Sequence, residues 1–340
     1  MNLLNPFPLQ HISLRNRLVM PPMCMYSAVD GMAADFHVVH YGTRAMGGVG
    51  LIILEATGVL PNGRISDRCL GLWKDEQITP LRRVVDACHR GGAKVAVQLA
   101  HAGRKCVATS VSNVVAPSRL RFSDDPEYRD PEEVTPLEIE TIAEAFGRAA
   151  ARAALAGVDA LEVHAAHGYL IHQFLSPLSN QRRDAYGGSL AKRVRFLAEV
   201  LQAVRREWPT PNPLLLRVSA TDYVEGGIEI PDMAAIVNQV RAEIDLLHVS
   251  SGGLLPILPA QSPGYQVPYA EALRAACNLP VIAVGQITTA EQADEILQSQ
   301  KADLIAMGRE LLRNPYLLLA AARRQHASMT YPRQYERAFS

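Results

Sequence analysis

Three observations in the 340-residue sequence predict a (β/α)8 TIM barrel. Short runs rich in Val, Ile and Leu alternate with longer segments of helical period. The alternation occurs eight times. The first run ends in PPMCMYS, whereas an open doubly wound sheet, the competing α/β fold, usually carries G-x-G-x-x-G at that place. A chain of this length could hold two domains, but barrels of this size commonly form one, and residues 1–340 are read as a single domain.

Taken in order, residues 6–14 read as a hairpin that caps the N-terminal mouth of the barrel. The strands are expected at 17–23, 49–59, 93–100, 160–166, 213–220, 246–252, 280–287 and 303–309. None alternates strictly between apolar and polar, as befits strands buried on both faces. Helical segments fill the intervals at 36–46, 79–89, 136–156, 191–207, 231–242, 269–276, 289–298 and 310–326. Glycines in HRGGAKV and LAGVDAL stop two of them in the manner of C-caps. After the third strand, residues 104–133 form a long insertion with Pro117, Pro126 and Pro131, and a loop of that length is usually a lid or binding element.

Composition narrows the function classes. Lys+Arg and Asp+Glu both number 34, so the chain as a whole carries no electrostatic footprint for nucleic acid or an anionic membrane. The first residues, MNLLNPFPLQHISLRN, lack the pattern of a signal peptide, and no stretch approaches the ~20 apolar residues of a membrane span. Five cysteines, none in C-x-x-C, point to reduced thiols in a cytoplasm and away from a zinc ribbon or a cysteine-ligated cluster.

In a TIM barrel the chemistry sits at the C-terminal ends of the strands. Those ends carry Pro22, Met23, Cys24 and Tyr26 after the first, Glu55, Ala56 and Thr57 in the second, and Gln98 and His101 in the third. The fourth offers His164, His167 and Tyr169, the fifth Arg217, the seventh Gly285, and the eighth Gly308 and Arg309. Glycines at the last two places let backbone N–H groups approach phosphate oxygens, and an arginine follows one of them. An amide and a guanidinium rising from the third and fifth strands suit the pyrimidine edge of a flat cofactor such as a flavin, whose reduction builds negative charge that Arg217 would stabilise. The bland alternative is an ion pair of Arg217 with Glu162 or Glu55. A metal-dependent hydrolase using His101, His164 and His167 is the rival from another class of chemistry, since three ligands and one open position make a catalytic zinc site. A flavin carrier without catalysis is the second rival, and it leaves Tyr169 and the paired histidines without a use.

The stretches PPMCMYS, QLAHAGR, EVHAAHGYLIHQFLSPLSNQRRDAYGGS, RVSATDYVEGG and MGRELLRNP resemble the old yellow enzyme family of flavin-dependent ene-reductases, and more narrowly its thermophilic-like branch. The resemblance runs from LLNPF to QYER, nearly the whole chain. It implies an FMN-binding barrel with NADPH dehydrogenase and ene-reductase activity. FMN would be reduced by NADPH in one half of a ping-pong cycle. Reduced FMN would then pass hydride from N5 to the β-carbon of an unsaturated ketone, aldehyde or imide, with nitro compounds as further substrates and phenols as ligands. On this resemblance His164 and His167 hold the substrate carbonyl and Tyr169 protonates the α-carbon. Tyr26 lies on the substrate side, and Pro21, Pro22, Met23, Cys24, Ala56, Gln98, Arg217, Gly285, Gly308 and Arg309 contact FMN. Pro21 departs from the branch, which often has serine there. No metal is expected.

The tail MTYPRQYERAFS carries Tyr331, Tyr335, Phe339, Arg333 and Arg337, too aromatic for an idle chain end. The resemblance implies a homodimer or homotetramer in which residues 327–340 dock on a neighbouring subunit and Arg337 reaches its site. The alternative is a tail packed on its own barrel.

Overall fold

The computed structural model describes residues 1–257 and 259–339. Eight parallel strands close into a barrel: Leu18–Met20, Leu51–Gly58, Lys94–Ala100, Ala160–Ala165, Leu214–Ser219, Leu246–Ser250, Val281–Ala283 and Leu304–Ala306. They pair in chain order, and Ile305 and Ala306 of the last pair with Leu18 and Val19 of the first.

The interior has two layers with different chemistry. The lower is apolar, built from Val19, Leu51, Ile53, Ala96, Ala160, Leu215, Leu246, Ile282 and Leu304. Leu9, Ile12 and Leu14 join it from the hairpin Phe7–Leu9 and Ile12–Leu14, which seals the N-terminal mouth as expected. Side chains two apart on a strand share a face, so one step up the same rows come Gln98 after Ala96, Glu162 after Ala160, Arg217 after Leu215 and His248 after Leu246. All four are buried. The outward faces pack against the helices in a continuous shell that includes Leu54, Val97, Val163, Leu216, Phe146, Phe174 and Phe196. The helix Pro136–Ala156 starts with a reciprocal cap: Thr135 Oγ1 accepts from Glu138 N at 3.2 Å and Glu138 Oε2 accepts from Thr135 N at 2.8 Å.

Several expected boundaries move. The first strand stops at Met20 rather than residue 23, because Pro21 and Pro22 have no N–H to give a ladder. The seventh and eighth strands shorten to three residues each. The helix expected at 310–326 is two, Arg309–Arg313 and Leu317–Arg324, since Pro315 cannot supply the hydrogen bond that would join them. A buried helix absent from the sequence reading, Leu170–Leu175, follows the fourth strand directly. The insertion is not structureless. It opens with a 3-10 turn, Gly103–Lys105, and pairs Val115–Ala116 in parallel with Glu132–Glu133.

Within this chain, Tyr331 and Pro332 of the tail line a groove with Val38, Met46 and Ala87, against the helices Asp35–Met46 and Ile78–Arg90. The hydroxyls of Tyr335 and Tyr316 are 3.4 Å apart. Arg337 is exposed on the last turn, Glu336–Phe339, while the Phe339 side chain and Ser340 lie outside the described residues. All five cysteines are free thiols. No helix among the described residues is long and apolar enough to cross a membrane.

Candidate active site

A cavity of 350 Å³ opens at the C-terminal ends of the fifth to eighth strands. Arg217, Gly285, Gly308 and Arg309 line it together, with Ser250 and Gln266. Gly285 has φ +118°, a conformation that L side chains rarely adopt, and an added Cβ would stand 2.7 Å from Gln266 Oε1. Gly308 lets the eighth strand end close to the first, for a Cβ there would meet Met23 Sδ at 3.3 Å and Pro21 Cγ at 3.6 Å.

Arg217 is 7% exposed, and its Nε has no hydrogen-bond partner among the described residues. Burial lowers its pKa, and the nearby Glu162 opposes that shift. The ion pair considered as its bland alternative does not form. Glu162 is engaged by Gln98 Nε2 at 2.8 Å and His248 Nδ1 at 2.7 Å. Glu55 accepts from Met25 N at 3.0 Å and Tyr41 Oη at 3.1 Å. A buried guanidinium without an anion is costly. It marks where a negatively charged or electron-rich group belongs.

The fourth strand brings His164, His167 and Tyr169 together. The His164 ring stands edge-on to His167 at 5.2 Å and to Tyr169 at 4.8 Å between centroids. His164 Nδ1 accepts from Ala166 N at 3.2 Å, which leaves the ring proton on Nε2. His167 has φ +55°, and its N–H donates to Ser219 Oγ at 2.9 Å. Its Nε2 lies 2.7 Å from Ser250 Oγ, which itself accepts from Gln266 Nε2 at 3.1 Å. Burial, and then the Arg217 charge, hold both imidazoles well below their ordinary pKa. Each ring is thus a neutral donor of one hydrogen bond. Burial likewise pushes the Tyr169 phenol well above its ordinary value, so it keeps its proton.

Around this trio, burial pushes the Cys24 thiol up to about 12. Cys24 is therefore held as an un-ionised thiol. Tyr26 is 43% exposed with φ +49°. Lys105 was passed over in the sequence although it sits in QLAHAGRK, directly after the third strand. Its Nζ donates to the carbonyls of His167 at 3.0 Å and Gly253 at 3.1 Å, 4.3 Å from the Phe122 ring centroid and 5.3 Å from that of Tyr169. Burial lowers its pKa to about 8.

The hydrolase alternative is corrected. His101 turns its ring toward Gly63, where an added Cβ would meet it at 2.8 Å, and its Nδ1 accepts from Gly103 N at 3.1 Å. Among the described residues no three His, Cys, Asp or Glu side chains come together in a way that would hold a metal ion. His172, left as structural in the sequence reading, places Nε2 2.9 Å from Asp222 Oδ1. The unpaired Arg217 and the side-chain-free walls at Gly285 and Gly308 fit a flavin with a phosphate.

The sequence model of the NADH:flavin oxidoreductase / NADH oxidase family matches residues 2–327. The chain is 51% identical to an NADPH dehydrogenase of Clostridium acetobutylicum over 342 aligned residues, covering 100% of both. It is 48% identical to one of Listeria innocua, covering 99% of each. Among solved structures it is similar to morphinone reductase, with a TM-score of 0.82 and 30% identity over 97% of this chain and 91% of that one. That enzyme has also been solved in complex with tetrahydroNAD. The chain belongs to the NADH:flavin oxidoreductase / NADH oxidase family, that of old yellow enzyme, and is a TIM-barrel oxidoreductase with FMN as its flavin.

Proposed function

We propose that the protein is an NADPH-dependent ene-reductase. The single observation that carries the reading is the pair of neutral, one-proton imidazole donors, His164 and His167, packed against a protonated phenol, Tyr169. FMN, when bound, would supply the redox chemistry, hydride transfer from NADPH to the β-carbon of an unsaturated carbonyl. The protein's part is to hold and polarise. Two donors on the carbonyl oxygen draw electron density from the β-carbon and stabilise the enolate oxygen as charge develops, where one such donor is worth roughly 3–4 kcal/mol. Tyr169 then gives its phenolic proton to the α-carbon. Arg217 would place fixed positive charge beside the flavin, Met23, Cys24, Ala56 and Gln98 would hold its ring system, and Gly285, Gly308 and Arg309 would take its phosphate. Pro21 and Pro22 contribute backbone carbonyls. Tyr26 closes the substrate side. Nitroalkenes and phenolates fit the same donors. We also propose a cytoplasmic homodimer or homotetramer in which Arg337 reaches a neighbour's site, resting on the aromatic tail and the QYER resemblance.

The test begins with the visible spectrum of purified protein. FMN absorption that bleaches anaerobically with NADPH and returns on adding 2-cyclohexenone supports the reading. A protein that retains FMN yet stays bleached with every enone would refute it. Titrating p-hydroxybenzaldehyde should raise a long-wavelength charge-transfer band that His164→Ala combined with His167→Ala abolishes. Because both imidazoles are neutral, that binding should follow the ligand's own ionisation between pH 6 and 9, with no histidine step.

A further inference from the structure

Glu162 is wholly buried in the polar layer of the barrel, and neither the resemblance nor the chemistry above gives it a task. Its strand position pairs with Gln98 in register, and on the next rungs His164 pairs with Arg217 and Arg217 with His248. Each carboxylate oxygen has one donor: Oε1 takes Gln98 Nε2 at 2.8 Å and Oε2 takes His248 Nδ1 at 2.7 Å. An ionised carboxylate only accepts, so it dictates which end of the Gln98 amide turns toward it. The NH2 end is drawn down to Glu162, and Oε1 is what Gln98 keeps as its acceptor. The same two bonds occupy Glu162, and no carboxylate oxygen among the described residues lies within 4.0 Å of a nitrogen of Arg217.

Resting on the flavin reading, we propose that Glu162 is a positioning residue that fixes the orientation of the Gln98 amide, so that Gln98 presents its oxygen to the imide N3–H of FMN, while Glu162 itself is kept from pairing with Arg217. An acceptor at N3 recognises the neutral imide and resists its ionisation, because a hydrogen bond to the protonated form disfavours loss of the proton. An amide turned the other way would offer N–H instead and favour the N3 anion. A simple structural role for Glu162 would leave the imide indifferent.

The experiment is an alkaline spectrophotometric titration of N3–H in the FMN-loaded protein, read in oxidised enzyme without turnover. Wild type should hold the imide ionisation above that of free FMN. Glu162→Gln has no obligatory acceptor pair, so the Gln98 amide is released, and the ionisation constant should rise by about tenfold, one pK unit. Gln98→Ala removes the acceptor outright and should do the same with Glu162 in place, which keeps the test decisive if Glu162→Gln folds poorly. In the Gln98→Ala background, Glu162→Gln should add nothing further. An imide that titrates as in wild type in Gln98→Ala overturns the proposal, and so does an equal Glu162→Gln effect with and without Gln98, which would make it a through-space charge effect. Wild-type protein that binds no FMN overturns the flavin reading along with it. FMN bound with an unmoved imide overturns this proposal alone.

Discussion

At the scale of single residues, burial decides the protonation states on which the chemistry depends. Tyr169 is held well above its ordinary pKa and so remains an acid at every workable pH. Tyr169→Phe should slow the oxidative half-reaction with 2-cyclohexenone by about 10²–10⁴-fold, as stopped flow would measure, and leave flavin reduction by NADPH little changed. Lys105 titrates in the working range, with a pKa lowered from 10.5 to about 8 by burial. Between those two values the unfolded chain binds a proton that the folded protein does not, so this residue's contribution to stability rises with pH. Urea unfolding of wild type and Lys105→Met from pH 7.5 to 10 should show the difference moving in favour of wild type above about pH 8, by at most about 1.4 kcal/mol per unit. A difference that is flat with pH, or falls, contradicts the assignment.

At the scale of elements, the strand ends carry function because each inward row changes character within two residues. Leu215 belongs to the apolar layer and Arg217 to the polar one. That change is visible in LLLRVS, which is why Arg217 could be singled out from sequence, as could Gln98 and the His164 cluster. His248 does not stand out in its equally apolar string, and Glu162 enters there only as a possible ion-pair partner of Arg217. Their meaning comes from register, from Gln98 standing opposite Glu162, and linear order does not carry register across 64 residues. The split of the last helix was written in RNPYL and was overlooked because helical period continues across it. The turn after the seventh strand offers a sharp test. Gly285→Ala must place a Cβ at φ +118° and 2.7 Å from Gln266 Oε1. Such strain costs on the order of 1–3 kcal/mol. FMN dissociation, followed by the recovery of free-flavin fluorescence, should be at least about tenfold easier, with the barrel still folded by circular dichroism.

At the scale of the whole molecule, the tail sets the question of assembly. Within one chain Tyr335 meets Tyr316 and Tyr331 lies in the groove beside Val38, while Arg337 is exposed. On the proposed trans role, deleting everything after Met329 should loosen the proposed oligomer in sedimentation and weaken substrate binding while FMN stays bound. Mixing that truncated chain with full-length His164→Ala should regenerate active heterodimers, since each supplies what the other lacks. Heterodimers that form and remain inactive would show that the tail does not act on a neighbour.

The closure of the barrel has a consequence for how the chain is made. The strand Leu18–Met20 has two neighbours, Leu51–Gly58 and Leu304–Ala306. On the ribosome the first follows almost at once, but the other emerges only after five further barrel strands, at N-terminal-first rates of about 5–20 residues per second. Until then one edge of the nascent sheet keeps unpaired N–H and C=O groups, a template for pairing with another chain. The N-terminal turn Asn2–Leu4 waits as well, since Leu3 N is bonded at 2.9 Å to Asp294. Exposure of that edge until Leu304–Ala306 has been made is therefore built into a topology whose final fastening joins the first strand to the eighth.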